Sequence, residues 1–170
     1  MESIEFWRMF DLIKGTIQSS KVVEDINGDG VFINLSKNKD FKKIKDFELD
    51  NENIFISNVS PLGLIQFYKG KCCYSNLLYN IKPVEEFKEK INIKYIYYYL
   101  LEKREFIENN YQLGCANKTL DIEGFNLMKI PLLSIEKQKE IVDILDGVNN
   151  RMNEDIKYIE VLRELISKII

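Results

Sequence analysis

The stretch Lys129-Ile130-Pro131-Leu132-Leu133-Ser134-Ile135-Glu136-Lys137-Gln138 decides how this chain is organised. A buried-looking apolar run closes at Pro131. Ser134 then offers a hydroxyl N-cap, and Glu136 puts negative charge in the first turn of a helix, where the helix dipole favours it. From there to Ile170 no proline follows, and the only glycine is Gly147. A run of about 35 residues at about 1.5 Å per residue gives a helix of roughly 50 Å. The preceding residues cannot cover that length, so the helix needs a partner.

Its apolar positions say what kind. Ile141, Leu145, Val148, Met152, Ile156, Ile159, Leu162, Ile166 and Ile169 recur at a mean spacing of about 3.5, the coiled-coil period. Val148, Met152 and Ile156 follow in two steps of four, an irregularity of the stutter type. Val142, Ile144, Val161, Leu165 and Ile170 widen the stripe, so parts of the helix are also expected to rest on their own domain. The alternative is a C-terminal helix folded wholly back onto that domain.

A chain of 170 residues, 45% apolar and 12% aromatic, has enough material for one domain with a core, plus this appendage. No run of 18 apolar residues occurs, so no membrane span is expected, and the acidic N-terminus lacks a signal-peptide pattern. Cysteines number three, two of them adjacent (Cys72, Cys73). They read as reduced and structural, in a cytoplasmic protein.

The net charge of −3 and the pI near 5.2 weigh mildly against nucleic-acid binding. The charge is uneven, however. Lys69, Lys71, Lys82, Lys88, Lys90, Lys94, Lys103 and Arg104 outnumber Glu85, Glu86, Glu89 and Glu102 in their stretch. Lys37, Lys39, Lys42, Lys43 and Lys45 make a second basic cluster.

Along the chain, residues 6–17 read as a short apolar element and residues 18–21 as a polar loop. Asn27-Gly28-Asp29-Gly30 is a turn signal before a strand at residues 31–35. Residues 36–40 form a Lys/Asn loop. Residues 53–57 and 64–68 read as paired strands, with Gly70 as the next turn. Residues 72–74 and 77–81 complete a β-rich block that Pro83 closes. The period then changes to that of an amphipathic helix at residues 94–109. Its tyrosines (Tyr95, Tyr97, Tyr98, Tyr99) read as packing residues rather than as a base-stacking set. Residues 111–119 form a loop.

Several chemistries are excluded. With no histidine, triads of the Ser-His-Asp or Cys-His kind cannot form. No phosphate-binding glycine loop or dinucleotide fingerprint is present, and no zinc or calcium pattern. Neither catalytic residues nor metal ligands nor a cofactor are expected. The residues describe a binding module with an assembly helix.

At this point the sequence resembles a known family. Residues 127–146, with Ile-Pro-Leu-Leu-Ser-Ile-Glu-Lys-Gln and then Ile-Val-Asp-Ile-Leu-Asp, resemble the junction that ends a target recognition domain in type I restriction-modification specificity subunits. Leu133 stands where the family often has a second proline and Lys137 where it has a glutamate. Pro131, Ser134 and Gln138 hold their places. Upstream, Phe10-Asp11-Leu12-Ile13-Lys14-Gly15 looks like the opening element. Residues 53–57 with Gly63-Leu64-Ile65 and Tyr68 are similar to the central hairpin, residues 95–101 to the helix that follows, and residues 114–120 to the late glycine-containing loop.

The resemblance implies an α+β fold: a compact, β-rich target recognition domain over residues 1–133, then a long coiled-coil helix over residues 134–170. It implies a non-catalytic subunit that reads double-stranded DNA and carries an adenine-N6 methyltransferase and a motor-nuclease subunit. A complete subunit has two recognition domains and two antiparallel helices, so the chain looks like a half-size version. Two copies would pair as a homodimer and read two inverted half-sites.

Expected phosphate contacts are Lys14, Lys21, Lys37, Lys39 and Lys42. Expected base-edge contacts are Gln18, Ser19, Ser20, Asn58, Ser60, Tyr74, Ser75, Asn76, Asn117 and Lys118. The nine stripe residues from Ile141 to Ile169 would form the dimer seam. The rival readings are a coiled-coil adaptor, or a degenerate recognition module that binds a protein instead of DNA.

Overall fold

A computed structural model describes residues 3–36 and 41–169, with side chains placed as far as Arg163. The chain opens with strand β1 (Ser3–Glu5), a single helical turn α1 (Phe6–Met9) and strand β2 (Phe10–Lys14). Strands β3 (Gly30–Ile33), β4 (Lys42–Ile44), β5 (Leu49–Ser57), β6 (Ile65–Tyr74) and β7 (Leu78–Pro83) follow. Then come helices α2 (Ile93–Glu102) and α3 (Arg104–Asn110), the short strands β8 (Gln112–Leu113) and β9 (Thr119–Leu120), helix α4 (Ile122–Asn126) and strand β10 (Lys129–Pro131). The last element is α5 (Ile135–Ile169). The expected α+β fold, a β-rich domain followed by a long helix, is what forms.

Strands β2 to β7 make a six-stranded sheet in the order β2-β7-β5-β6-β3-β4; β3 runs parallel to β6 and the other pairs are antiparallel. The register requires this sheet to coil. Cys72 pairs with Leu49 at one end of β5, and Leu78 pairs with Ser57 at the other. A straight β5 would hold those ends about 26 Å apart. The chain from Cys72 to Leu78 spans at most about 21 Å fully extended, and it turns on the way. The sheet therefore curls until Tyr74 reaches β2, where its hydroxyl donates to Ile13 O at 3.2 Å.

Alternation along β5 supplies both faces. Ile54 and Ile56 point to the helices, into a core with Phe6, Met9, Phe10, Ile96, Leu100 and Phe125. Phe55 points the other way, into the coil, with Ile33, Cys72, Tyr74 and Leu78. All three β5 residues are fully buried. Helix α2 lies between the sheet and α5.

The structure corrects several readings. Gly70 is not a turn: β6 runs through it, opposite Asn51, with a φ of 127° that disfavours a side chain. The helix expected at 94–109 is two, broken at Lys103. The element at residues 6–17 divides into α1 and β2, and the loop at 111–119 is a small hairpin of β8 and β9.

Candidate nucleic-acid interface

Segments far apart in sequence are stitched into one rim where the sheet closes. Gly15 donates its N–H to Leu78 O at 3.0 Å, and a Cβ on Gly15 would lie 2.2 Å from Ser75 O, so only glycine allows this approach. Asn76 donates to Ile17 O at 2.9 Å, and Ser75 donates to Ile33 O at 2.9 Å. The hydroxyls of Ser19 and Ser75 meet at 3.3 Å. Asn58 donates to Leu77 O at 2.8 Å and accepts from Leu120 at 3.0 Å. Residues 17–21, 33–36, 58–61, 75–77 and 117–120 thereby share one belt.

The rim sorts the expected contacts. Gln18, Ser20, Lys21, Ser60 and Asn117 are exposed on it, and Asn58, Asn76 and Lys118 are half-buried. Lys14 is exposed at the end of β2. Lys42 lies on the outer strand β4, one strand over from β3, with its ammonium donating to Val22 O at 3.2 Å. Lys37 and Lys39 lie outside the described residues.

Two expectations need correction. Tyr74 is buried in the coil against Phe55, with ring centroids 5.0 Å apart and its hydroxyl already used. Burial raises its pKa, so it stays neutral. Ser75 is fully buried; its Oγ accepts from Leu77 N–H at 3.2 Å and meets Ser19. Both build the rim and do not face outward from it. Ser19 is half-buried in the same contact. Sequence reasoning missed Asn34, whose Oδ1 accepts from Ser36 N–H at 2.7 Å and shapes the exit of β3. The Asn-x-Ser pattern of an Asx turn was the available signal.

The cysteines offer no nucleophile in the core. Burial pushes Cys72 up to about 12 and Cys73 up to about 11, so both stay thiols at neutral pH. Cys115, by contrast, is exposed in the β8–β9 hairpin and is not part of a core. No group of metal-binding side chains occurs among the described residues, and no described helix is long and apolar enough to cross a membrane.

The helix is anchored at its base. Ser134 Oγ accepts from Lys137 N–H at 3.4 Å, the expected cap. Gln138 is fully buried; its Oε1 accepts from Asn92 N–H, and its Nε2 donates to Lys90 O and Leu133 O, all at 2.8 Å. Val142 is buried, and Ile141 packs on the domain core. Farther out, Asp146 accepts from Lys94 Nζ at 2.6 Å and from the Tyr98 hydroxyl. Burial works against the Asp146 charge, but these two donors outweigh it and hold the carboxyl below its ordinary value. Tyr98, desolvated and donating to Asp146, is pushed up to about 12.

The last hydrogen bond to the domain comes from Asn149, whose Nδ2 donates to the Tyr98 hydroxyl at 2.9 Å, and beyond it the apolar stripe is exposed. Val148, Met152, Ile156 and Ile159 are 48–55% exposed, and Leu162 is 39% exposed. Leu145 is half-buried. The side chains of Ile166 and Ile169 lie outside the described residues.

A curled sheet that gathers polar loops on one rim, carried on a projecting helix, is built to recognise a surface. Residues 3–161 match the sequence model of the type I restriction modification DNA specificity domain, and the chain belongs to that family of non-catalytic specificity elements. The fold agrees. The type I restriction-modification S subunit from M. genitalium superposes with a TM-score of 0.73 at 17% identity, over 96% of this chain and 42% of that one. The HsdS subunit from Thermoanaerobacter tengcongensis gives 0.64 at 18%, over 90% and 38%. A third structure, described as showing complex assembly and conformational transition of the type I R-M system, gives 0.66 at 17%, over 90% and 39%. The chain thus spans about two-fifths of the solved structures it matches. Comparison with curated proteins gives no significant match.

Proposed function

We propose that this chain reads one half of a split duplex DNA target and directs an adenine-N6 methyltransferase to it. Two copies joined by antiparallel α5 helices would present two rims to inverted half-sites. The observation that supports this reading is the belt of exposed Gln18, Ser20, Ser60 and Asn117, set in a domain of the specificity family. Amide and hydroxyl side chains are the groups that discriminate base edges in the major groove. Lys14, Lys21 and Lys42 flank the rim as phosphate contacts that hold without specifying. Phosphate contacts from the methyltransferase offset the acidic charge of this chain.

The methyltransferase docks near residues 134–146, where Gln138 and Asp146 fix the helix to the recognition domain. A motor-nuclease subunit joins the same assembly, which works in the cytoplasm. The test is a methylation assay with labelled methyl donor on duplex DNA. The chain alone transfers no methyl group, and it confers a sequence preference on its cognate methyltransferase. Methyl transfer by the chain alone contradicts the reading. A methyltransferase that neither co-purifies nor gains preference favours the adaptor instead.

A further inference from the structure

Gln66 lies opposite Phe55 in the sheet, on the coil face that otherwise packs Ile33, Phe55, Cys72 and Leu78. It is only 4% exposed. Burying a carboxamide there costs stability unless both its ends are bonded. Only one is: Nε2 donates to Ser36 O at 2.9 Å, whereas Oε1 has no partner among the described residues. An apolar side chain of the same length would fill the space without that cost. What it could not do is hold Ser36.

Ser36 is held from both sides. Its N–H donates to Asn34 Oδ1 at 2.7 Å and its carbonyl accepts from Gln66, so of its polar groups only the hydroxyl lies outside these two bonds. The register places Ser36 beside the exposed polar residues of the rim. Strand β3 runs parallel to β6 with Ile33 beside Tyr74, and Ile17 bridges in parallel to Ser75, the next residue. The segments that leave Ile17 and Ile33 therefore rise from the coil side by side, in the same direction. One carries Gln18 and Ser20, the other Asn34 and the half-buried Ser36. We infer that Ser36 is a further base-edge contact of the rim and that buried Gln66 is its positioning residue, an inference that rests on the DNA reading proposed above. A hydroxyl can donate to a base edge or accept from one, so it discriminates only where its oxygen is fixed. Gln66 and Asn34 supply that fixing in a segment that is otherwise a loop.

The test is competition binding by the chain with its methyltransferase, on single-base variants of a target selected from random duplexes, alongside thermal melts. Ser36→Ala relaxes discrimination about fivefold at one base pair and leaves the salt slope unchanged. Ser36→Thr, which keeps the hydroxyl, retains the discrimination. Gln66→Met, of similar length but without the amide, relaxes the same base pair without lowering the melting temperature, and Asn34→Ala relaxes it too. Adding Ser36→Ala to Gln66→Met causes no further loss. A Gln66→Met chain that melts earlier or fails to fold, while Asn34→Ala keeps full discrimination, assigns Gln66 to stability alone and overturns its positioning role. Ser36→Ala with discrimination intact at every base pair, or with all duplexes weakened alike, overturns the inference while leaving the reading by the rim intact. A wild-type complex that prefers no duplex over random sequence overturns the reading itself, and the role of Ser36 with it.

Discussion

The side-chain oxygen of Gln138 accepts the backbone N–H of Asn92 at 2.8 Å, and Asn92 is itself the N-cap of α2, accepting from Lys94 and Tyr95. One fully buried carboxamide thus joins the start of the long helix to the start of the helix that packs on the sheet. The rim and the stalk are held in a fixed relation by this contact and by the Lys94–Asp146–Tyr98 cluster two turns farther along. On the proposed function, in which two copies present two reading surfaces, that relation would set their spacing.

Replacing Gln138 by Leu therefore has a specific consequence. The substitution leaves Asn92 N–H, Lys90 O and Leu133 O without their buried partner. Groups left unsatisfied in this way cost about 1–3 kcal/mol each when water cannot reach them, so a loss of about 3 kcal/mol is expected. Urea unfolding should show a lower midpoint at an unchanged slope. Loss below about 1 kcal/mol would mean that the junction is held by apolar contacts alone.

Asp146 gives the junction a pH dependence. Its folded-state pKa lies below the ordinary carboxylate value. Its contribution is therefore complete above that ordinary value, and it is lost as pH falls through the folded one. Asp146→Asn should be less stable than wild type by about 1 kcal/mol at pH 7. The difference should shrink below about pH 4. A difference that persists unchanged into acid would assign the effect to packing.

Tyr74 and Asn117 should separate structure from reading. Tyr74→Phe removes a buried hydroxyl bonded to Ile13 O and should cost about 1 kcal/mol of stability, with sequence preference intact. Asn117→Ala, at an exposed hairpin position, should leave the melting temperature alone and relax discrimination at one base pair, by about 1–3 kcal/mol. Competition binding with single-base variants of the target, alongside thermal melts, distinguishes the two.

Lys21→Ala should weaken binding to all duplexes alike and lower the slope of log affinity against log salt by about one unit. A change confined to one sequence would make Lys21 a base contact.

Much of this fold was legible because its signals are local. The β-branched and aromatic run at Ile54-Phe55-Ile56, the cap at Ser134 and the absence of proline after Pro131 each fix an element from its own residues. What was hidden depends on long-range closure. Ser75 stands in a polar Tyr-Ser-Asn run and reads as surface, yet the coil buries it against Gly15, 60 residues away in sequence, and uses Tyr74 to close on β2. Gly70 reads as a turn by composition because nothing local distinguishes a positive φ inside a strand from one in a loop. The break at Lys103 is likewise invisible in a helical period that continues across it.

On the proposed function the rim reads sequence and pairing doubles it. Selection from random duplexes, using the chain together with its methyltransferase, tests this most directly. The expected result is an enriched motif of two identical, inverted half-sites at a fixed spacing, which Asn117→Ala degrades at the same position in both halves. Recovered duplexes with no enriched motif would contradict it.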